Sequence, residues 1–187
     1  MKSFLIGLLK GRKFRFGVLA VVLAAAGLSI AWLGPEHYRL GGAWIGGTSG
    51  HPQWNCLQIP LDPAGQTEAL RVSLVGWGPE FAGLLSAFGA NTVTDGVGEG
   101  RMISQDTAQW SFVCYAQVAG NPPVKTAILV YSGTFKFTGQ DTAALVYTLR
   151  VYLASADADG DGYPDAGVLP VLTIPDIPDS AKRVPWK

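Results

Sequence analysis

The chain has 187 residues, of which 48% are hydrophobic and only 15% charged, with 24 glycines and 12 prolines. Apolar residues at that density exclude a disordered chain, and the glycine and proline content points to many turns. The formal net charge is zero, and no basic stripe lies outside the N-terminus, which argues against a nucleic-acid-binding surface.

That zero is unevenly spread. Lys2, Lys10, Arg12, Lys13 and Arg15 stand in the first 15 residues without an acid, so residues 34–187 are mildly acidic. Phe16 to Leu33 is an uncharged run of 18 residues. As a helix it spans about 27 Å, close to the hydrocarbon thickness of a bilayer. Gly34-Pro35 ends it, because proline cannot continue a helix. All five early cations precede the run. The positive-inside rule therefore keeps 1–15 in the cytoplasm as a basic terminus, uses 16–33 as a transmembrane anchor, and exports 34–187. A cleaved signal segment ending at Ala24-Ala25-Ala26 is the alternative, although it leaves the apolar stretch 27–33 at the new terminus. Both readings place the domain in the periplasm or outside the cell. That compartment permits a disulfide between Cys56 and Cys114. A reactive thiol and two small buried hydrophobes are the other possibilities.

From about residue 40 the chain reads as strands and turns. Gly41 to Gly46 is one candidate strand. Leu70, Val72 and Leu74 alternate with Arg71, Ser73 and Val75 in the period of a half-buried strand. Phe81, Leu84, Leu85 and Phe88 instead follow helical spacing and predict a short helix lying on the sheet, stopped by Gly89. Gly96, Gly98 and Gly100 are expected to form a tight turn between Thr92-Val93 and Met102-Ile103. Trp110, Phe112, Cys114, Ala116 and Val118 share one strand face, and Asn121-Pro122-Pro123 breaks that strand. Thr126 to Thr138 is rich in β-branched and aromatic residues, with Gly133 expected at a bend or bulge. After a turn at Gly139-Gln140-Asp141, Leu145, Tyr147, Leu149, Val151 and Leu153 form the clearest strand face in the chain. Gly167 to Ile174 is a further candidate strand, and the proline-bearing segment from Pro175 is expected to be an extended tail. The fold class is mainly β: an antiparallel barrel or sandwich of about eight strands with one short helix, preceded by the N-terminal transmembrane helix.

Residues 157–165 read Asp-Ala-Asp-Gly-Asp-Gly-Tyr-Pro-Asp, four carboxylates without a cation among them. Packed together they repel, and a hard divalent cation removes that cost. Asp157, Asp159 and Asp161 fall at loop positions 1, 3 and 5, Gly162 at the sharp turn of position 6, Tyr163 at the backbone-carbonyl position 7, and Asp165 at position 9. Over these nine residues the loop resembles the EF-hand, and more closely the shortened loops of dockerins and thrombospondin type 3 repeats. The resemblance implies bound Ca²⁺ within 157–168. Val168 stands where an EF-hand has its bidentate Glu, and flanking helices are not expected, so a weak site joining two strands is the expectation. A solvated hairpin is the plainer alternative, since Asp and Gly are also common turn residues.

Gly42-Ala43-Trp44 is similar to the Gly-x-Trp of the first lipocalin strand, where the Trp closes one end of the barrel. That resemblance implies an eight-stranded barrel holding a small apolar ligand, with Trp110, Phe112, Phe135 and Phe137 along the cavity. The alternative is that these aromatics fill the core, as side chains do in many small barrels.

Catalytic candidates are few. His37 and His51 are the two histidines. Ser49 and His51 share a loop without a nucleophile elbow. Neither cysteine forms a paired metal motif, and Glu80 and Glu99 are isolated carboxylates. The expectation is therefore a non-enzymatic, membrane-anchored domain with a structural calcium loop, acting as a structural or accessory subunit of an envelope complex with a protein partner. A lipocalin-like carrier of a small apolar ligand is the alternative.

Overall fold

The computed structural model describes residues 40–47, 52–62 and 67–185. The anchor or signal segment expected at 16–33, the basic residues 1–15, and His37, Ser49 and His51 lie outside the described residues. Among the described residues no helix is long and apolar enough to cross a membrane.

The strands are β1 (Gly42–Gly46), β2 (Gln53–Pro60), β3 (Thr67–Gly76), β4 (Thr92–Val93), β5 (Gly96–Met102), β6 (Thr107–Val118), β7 (Val124–Gly139), β8 (Thr142–Leu153) and β9 (Leu172–Arg183). Among the described residues one α-helix, α1 (Pro79–Ala87), joins β3 to β4. Neighbours pair antiparallel from β1 through β2, β3, β5, β6, β7 and β8 to β9, and β9 pairs back onto β1. Eight strands thus close a barrel, and the two-residue β4 adds to β6 beyond the start of β5. Closure distinguishes the barrel from the sandwich alternative, because every long strand has a partner on both sides and no edge is left open.

Period-2 alternation decides what faces inward. Leu70 and Val72, Phe112 and Cys114, Leu129 and Tyr131, and Leu145, Tyr147, Leu149 and Val151 are buried on the inner face. Their chain neighbours on the other parity point outward. Val113, Ile128 and Val130 form a smaller cluster on the outer face, with Tyr115 and Tyr152 against it.

Four expectations need correction. Gly96, Gly98 and Gly100 do not make a turn: they are the inner face of β5. Cβ atoms at Gly96 and Gly98 would collide with Phe112. The bare inner face is what lets the aromatic rings of β6 lie across β5. Gly133 marks no bulge, and pairing runs unbroken through it, with Trp110 and Tyr147 as its partners. It is a site of close approach, where a Cβ would strike Tyr147. The segment from Pro175 is not a free tail but most of β9, and 167–171 precede it as a loop. Register slips between Tyr147 and Leu149 of β8. Asp176 takes φ 53° opposite that slip, so Pro175 falls where the ladder is already interrupted. Lastly, β2, which no periodicity singled out, is a full barrel strand.

α1 begins with Pro79 in its first turn and Glu80 beside the helix N-terminus. At its other end Gly89 takes φ 68°, as a helix stop requires. Phe81 and Leu85 are buried with the barrel core, so α1 covers the end where β3 stops. The acidic loop leaves from this end too, between β8 and β9. The opposite end has the short connections and is the closed one.

Candidate functional site

The barrel interior is the candidate site. At the closed end Trp44 of β1 is 0% exposed. Its indole N–H donates to the carbonyl of Leu40 at 2.8 Å. Arg183 stands opposite it in register on β9, with its guanidinium 4.6 Å from the ring centroid, and donates to the Gly41 carbonyl at 3.0 Å. Phe135 and Phe137 meet the indole edge-on at 4.8 and 5.9 Å. This end is therefore sealed by an aromatic cluster, a cation over its face, and backbone carbonyls of the segment entering β1.

Above the seal lies a cavity of about 50 Å³, running from Leu40 and Gly100 to Pro52, Trp54 and Leu74. Its walls are aromatic. Trp110 stacks on Phe112 at 5.6 Å, and Phe112 on Tyr131 at 4.6 Å. Of the four aromatics expected along a cavity, Trp110, Phe112 and Phe135 line it, whereas Phe137 packs on Trp44. Most of the interior is filled by side chains.

The polar atoms in this wall were not legible as a site. Gln58 Oε1, Trp110 Nε1 and the Tyr131 hydroxyl are buried without a hydrogen-bond partner, and all three residues line the cavity. Buried polar groups are normally paired, so three orphans on residues that line one cavity call for an explanation. Burial pushes the ionisation of Tyr131 well above the ordinary tyrosine range; the hydroxyl stays a neutral donor. Trp54 is satisfied differently. Its indole crosses β1 over Gly46 and donates to Asp179 of β9 at 2.8 Å, a path that a Cβ on Gly46 would block.

Cys56 and Cys114 are free and buried, on strands separated by β3 and β5. Burial raises both thiols to about 12, with Gln58 offsetting a little of the rise at Cys56. Of the three possibilities for these cysteines, the structure selects small buried residues, and the disulfide does not form.

The acidic loop lies over the outer face of β6 and β7. Ligand-capable oxygens of Asp157, Asp159 and Asp161 converge within 4.8 Å of one another. Gly160 and Gly162 take φ 77° and 92°, the left-handed turns that the Asp-Gly pattern demands. Gly162 N–H donates to Asp157 at 3.2 Å and Tyr163 N–H to Asp161 at 2.7 Å. The Asp165 carboxylate accepts from Ala158 N–H at 3.1 Å, and Tyr163, expected to offer its backbone carbonyl, is an exposed residue of the same loop. The Asp157 side chain is 1% exposed and ion-paired with Lys125 of β7. That hydrogen-bonded ammonium holds the Asp157 carboxyl below the usual carboxylate range. The cation thus comes from a distant strand, which the local sequence did not reveal. The Tyr115 hydroxyl donates to the Gly162 carbonyl and ties the loop to the barrel.

No family model matches the chain, and neither a curated protein nor a solved structure does.

Proposed function

We propose that this barrel is a non-catalytic binding domain that takes a very small, largely apolar molecule carrying one polar group into its interior. The observation that carries this reading is that three residues lining one aromatic cavity each carry a buried polar atom without a partner. Trp110 Nε1 needs an acceptor, Gln58 Oε1 needs a donor, and the Tyr131 hydroxyl serves as either. A hydroxyl-bearing ligand meets all three demands. Ligand pockets for drug-sized molecules run to roughly 300–1,000 Å³, so a cavity of about 50 Å³ limits the occupant to a few heavy atoms. The sealed Trp44 end and the up-and-down closure support the lipocalin-like reading over a purely structural subunit, which has no use for orphaned interior groups.

Tryptophan fluorescence tests it, because Trp54 and Trp110 both line the cavity. The full-length chain, titrated with short alcohols such as methanol, ethanol and propanol, is expected to give saturable quenching. Tyr131→Phe is expected to weaken binding about 10-fold, the worth of one hydrogen bond in a dry site. No saturable response across the series overturns the reading and leaves ordered water as the partner of these groups.

A second element rests on the acidic loop. The convergence of Asp157, Asp159 and Asp161 supports Ca²⁺ as a structural ion there, with Lys125 as its competitor. The membrane anchor at 16–33, export of the domain, and a partner in an envelope complex belong to the same proposal and rest on the sequence.

A further inference from the structure

One titratable side chain at the closed end is buried with only a weak backbone interaction, from Gly41, to hold it. Glu68 is 0% exposed, and neither of its carboxyl oxygens has a hydrogen-bond partner. It lies on the inner face of β3 in phase with Leu70 and Val72, opposite Pro60 of β2 and Gly100 of β5. A Cβ on Gly41 would lie 3.5 Å from Glu68 Oε1, so the carboxyl packs against the backbone that leads into β1. That same short segment supplies the Leu40 carbonyl to Trp44 and the Gly41 carbonyl to Arg183. Leu40 also forms part of the cavity wall.

The charges around Glu68 do not favour its ionisation. From the β2–β3 connection Asp62 adds a like charge. From β9, Arg183 is engaged with the Gly41 carbonyl and with Asp141 at 3.7 Å. β5 directs Glu99 and Arg101 to the exposed outer face. β2 contributes one titratable group, the buried neutral thiol of Cys56. Burial, and secondarily Asp62, raise the Glu68 carboxyl above the ordinary range, with the Gly41 backbone leaning weakly the other way. A neutral carboxyl is tolerated in such a place, whereas an unpaired carboxylate is not.

We propose that Glu68 is a proton-operated latch on the closed end of the barrel. Neutral, it lets Leu40 and Gly41 lie over it and completes the seal around Trp44. Ionised, it draws in water, lifts that segment, and opens the cavity wall at Leu40. The latch stands independently of whether the cavity takes a ligand.

The sign of its pH dependence follows from linkage. Below the unfolded glutamate value of about 4.3, both states are protonated and there is no penalty. As pH rises, the unfolded chain ionises first, so the closed form loses stability until pH passes the raised folded value, and then the loss levels off. The test compares melting temperatures of the full-length wild type and Glu68→Gln from acid to mildly alkaline pH. The expected result is coincidence in acid and a gap of several degrees in favour of the variant at neutral pH and above. A gap that stays constant with pH, or one that closes as pH rises, overturns the proposal. Infrared spectra of the wild type keep the test decisive if the variant misfolds: a protonated-carboxyl band is expected to persist to higher pH in the folded chain than in the urea-unfolded chain, and its loss at the same pH in both overturns the latch. Hydrogen exchange then locates the opening. At pH values above the transition the Trp44 indole N–H is expected to exchange faster in wild type than in Glu68→Gln, while that of Trp54 is unchanged. Equal acceleration at both indoles overturns a local latch.

Discussion

Trp44 and Gly46 are two residues apart on β1 and do opposite things for the interior. Trp44 fills space and carries the seal, and truncation of a buried Trp costs about 3–5 kcal/mol. Gly46 leaves space so that the Trp54 indole can reach Asp179. Gly46→Ala is expected to destabilise the barrel by about 1–3 kcal/mol through overpacking, a loss that urea denaturation reads directly. The cysteines yield a second expectation at this scale. With both thiols raised to about 12 and buried, the native chain is expected to resist alkylation at neutral pH and to take up two labels only once unfolded. Rapid labelling of the folded chain would show that the interior opens on its own.

The acidic loop, α1 and β5 show how far a local pattern predicts an element. The loop's backbone was legible, because Asp-Gly alternation specifies left-handed turns and side-chain-to-backbone bonds whatever lies nearby. The charge that neutralises Asp157 was not, because Lys125 is 32 positions away in sequence. Lys125→Met removes that competitor, so calorimetric titration is expected to show tighter Ca²⁺ binding than in wild type. Equal or weaker binding would make the lysine a passive neighbour. Asp157 itself gives a pH expectation: its folded value is depressed, so the loop's attachment is present above the unfolded aspartate range and lost as pH falls through the folded one. Exchange of the Gly162 amide, bonded to Asp157, is expected to report that loss. α1 was readable from helical spacing, since Phe81 and Leu85 are indeed the buried pair. β5 was misread, because three alternate glycines carry no apolar signal and look like a turn until a neighbouring strand lays its rings over them.

At the scale of the whole molecule, stability rests on closure. β9 pairs on both sides and brings the last strand to the first. Its contacts are among the longest-range in the chain, so the barrel is expected to fold slowly, in milliseconds to seconds, as non-local sheets do. Glu68 and Asp179 show why the interior polar groups were missed. Each lies in phase with an apolar inner face, Glu68 with Leu70 and Val72, Asp179 with Ile177 and Ala181. Parity was therefore a usable signal, but a single acid on such a face is indistinguishable from a solvated one until another segment reaches it, as Gly41 does Glu68 and Trp54 does Asp179.

The sequence by itself determined that β3, β6, β7 and β8 are strands with alternating faces, where the helix stops, and how the Asp-Gly loop bends. These depend on side-chain period and on the backbone freedom of glycine, both local. Only the tertiary structure decided that the sheet closes, that Arg183 caps Trp44, that Lys125 occupies the acidic loop, and that Gln58, Trp110 and Tyr131 face one cavity. Those are meetings of residues tens to more than a hundred positions apart. They are set by strand order and register, which emerge only when every strand has found both neighbours.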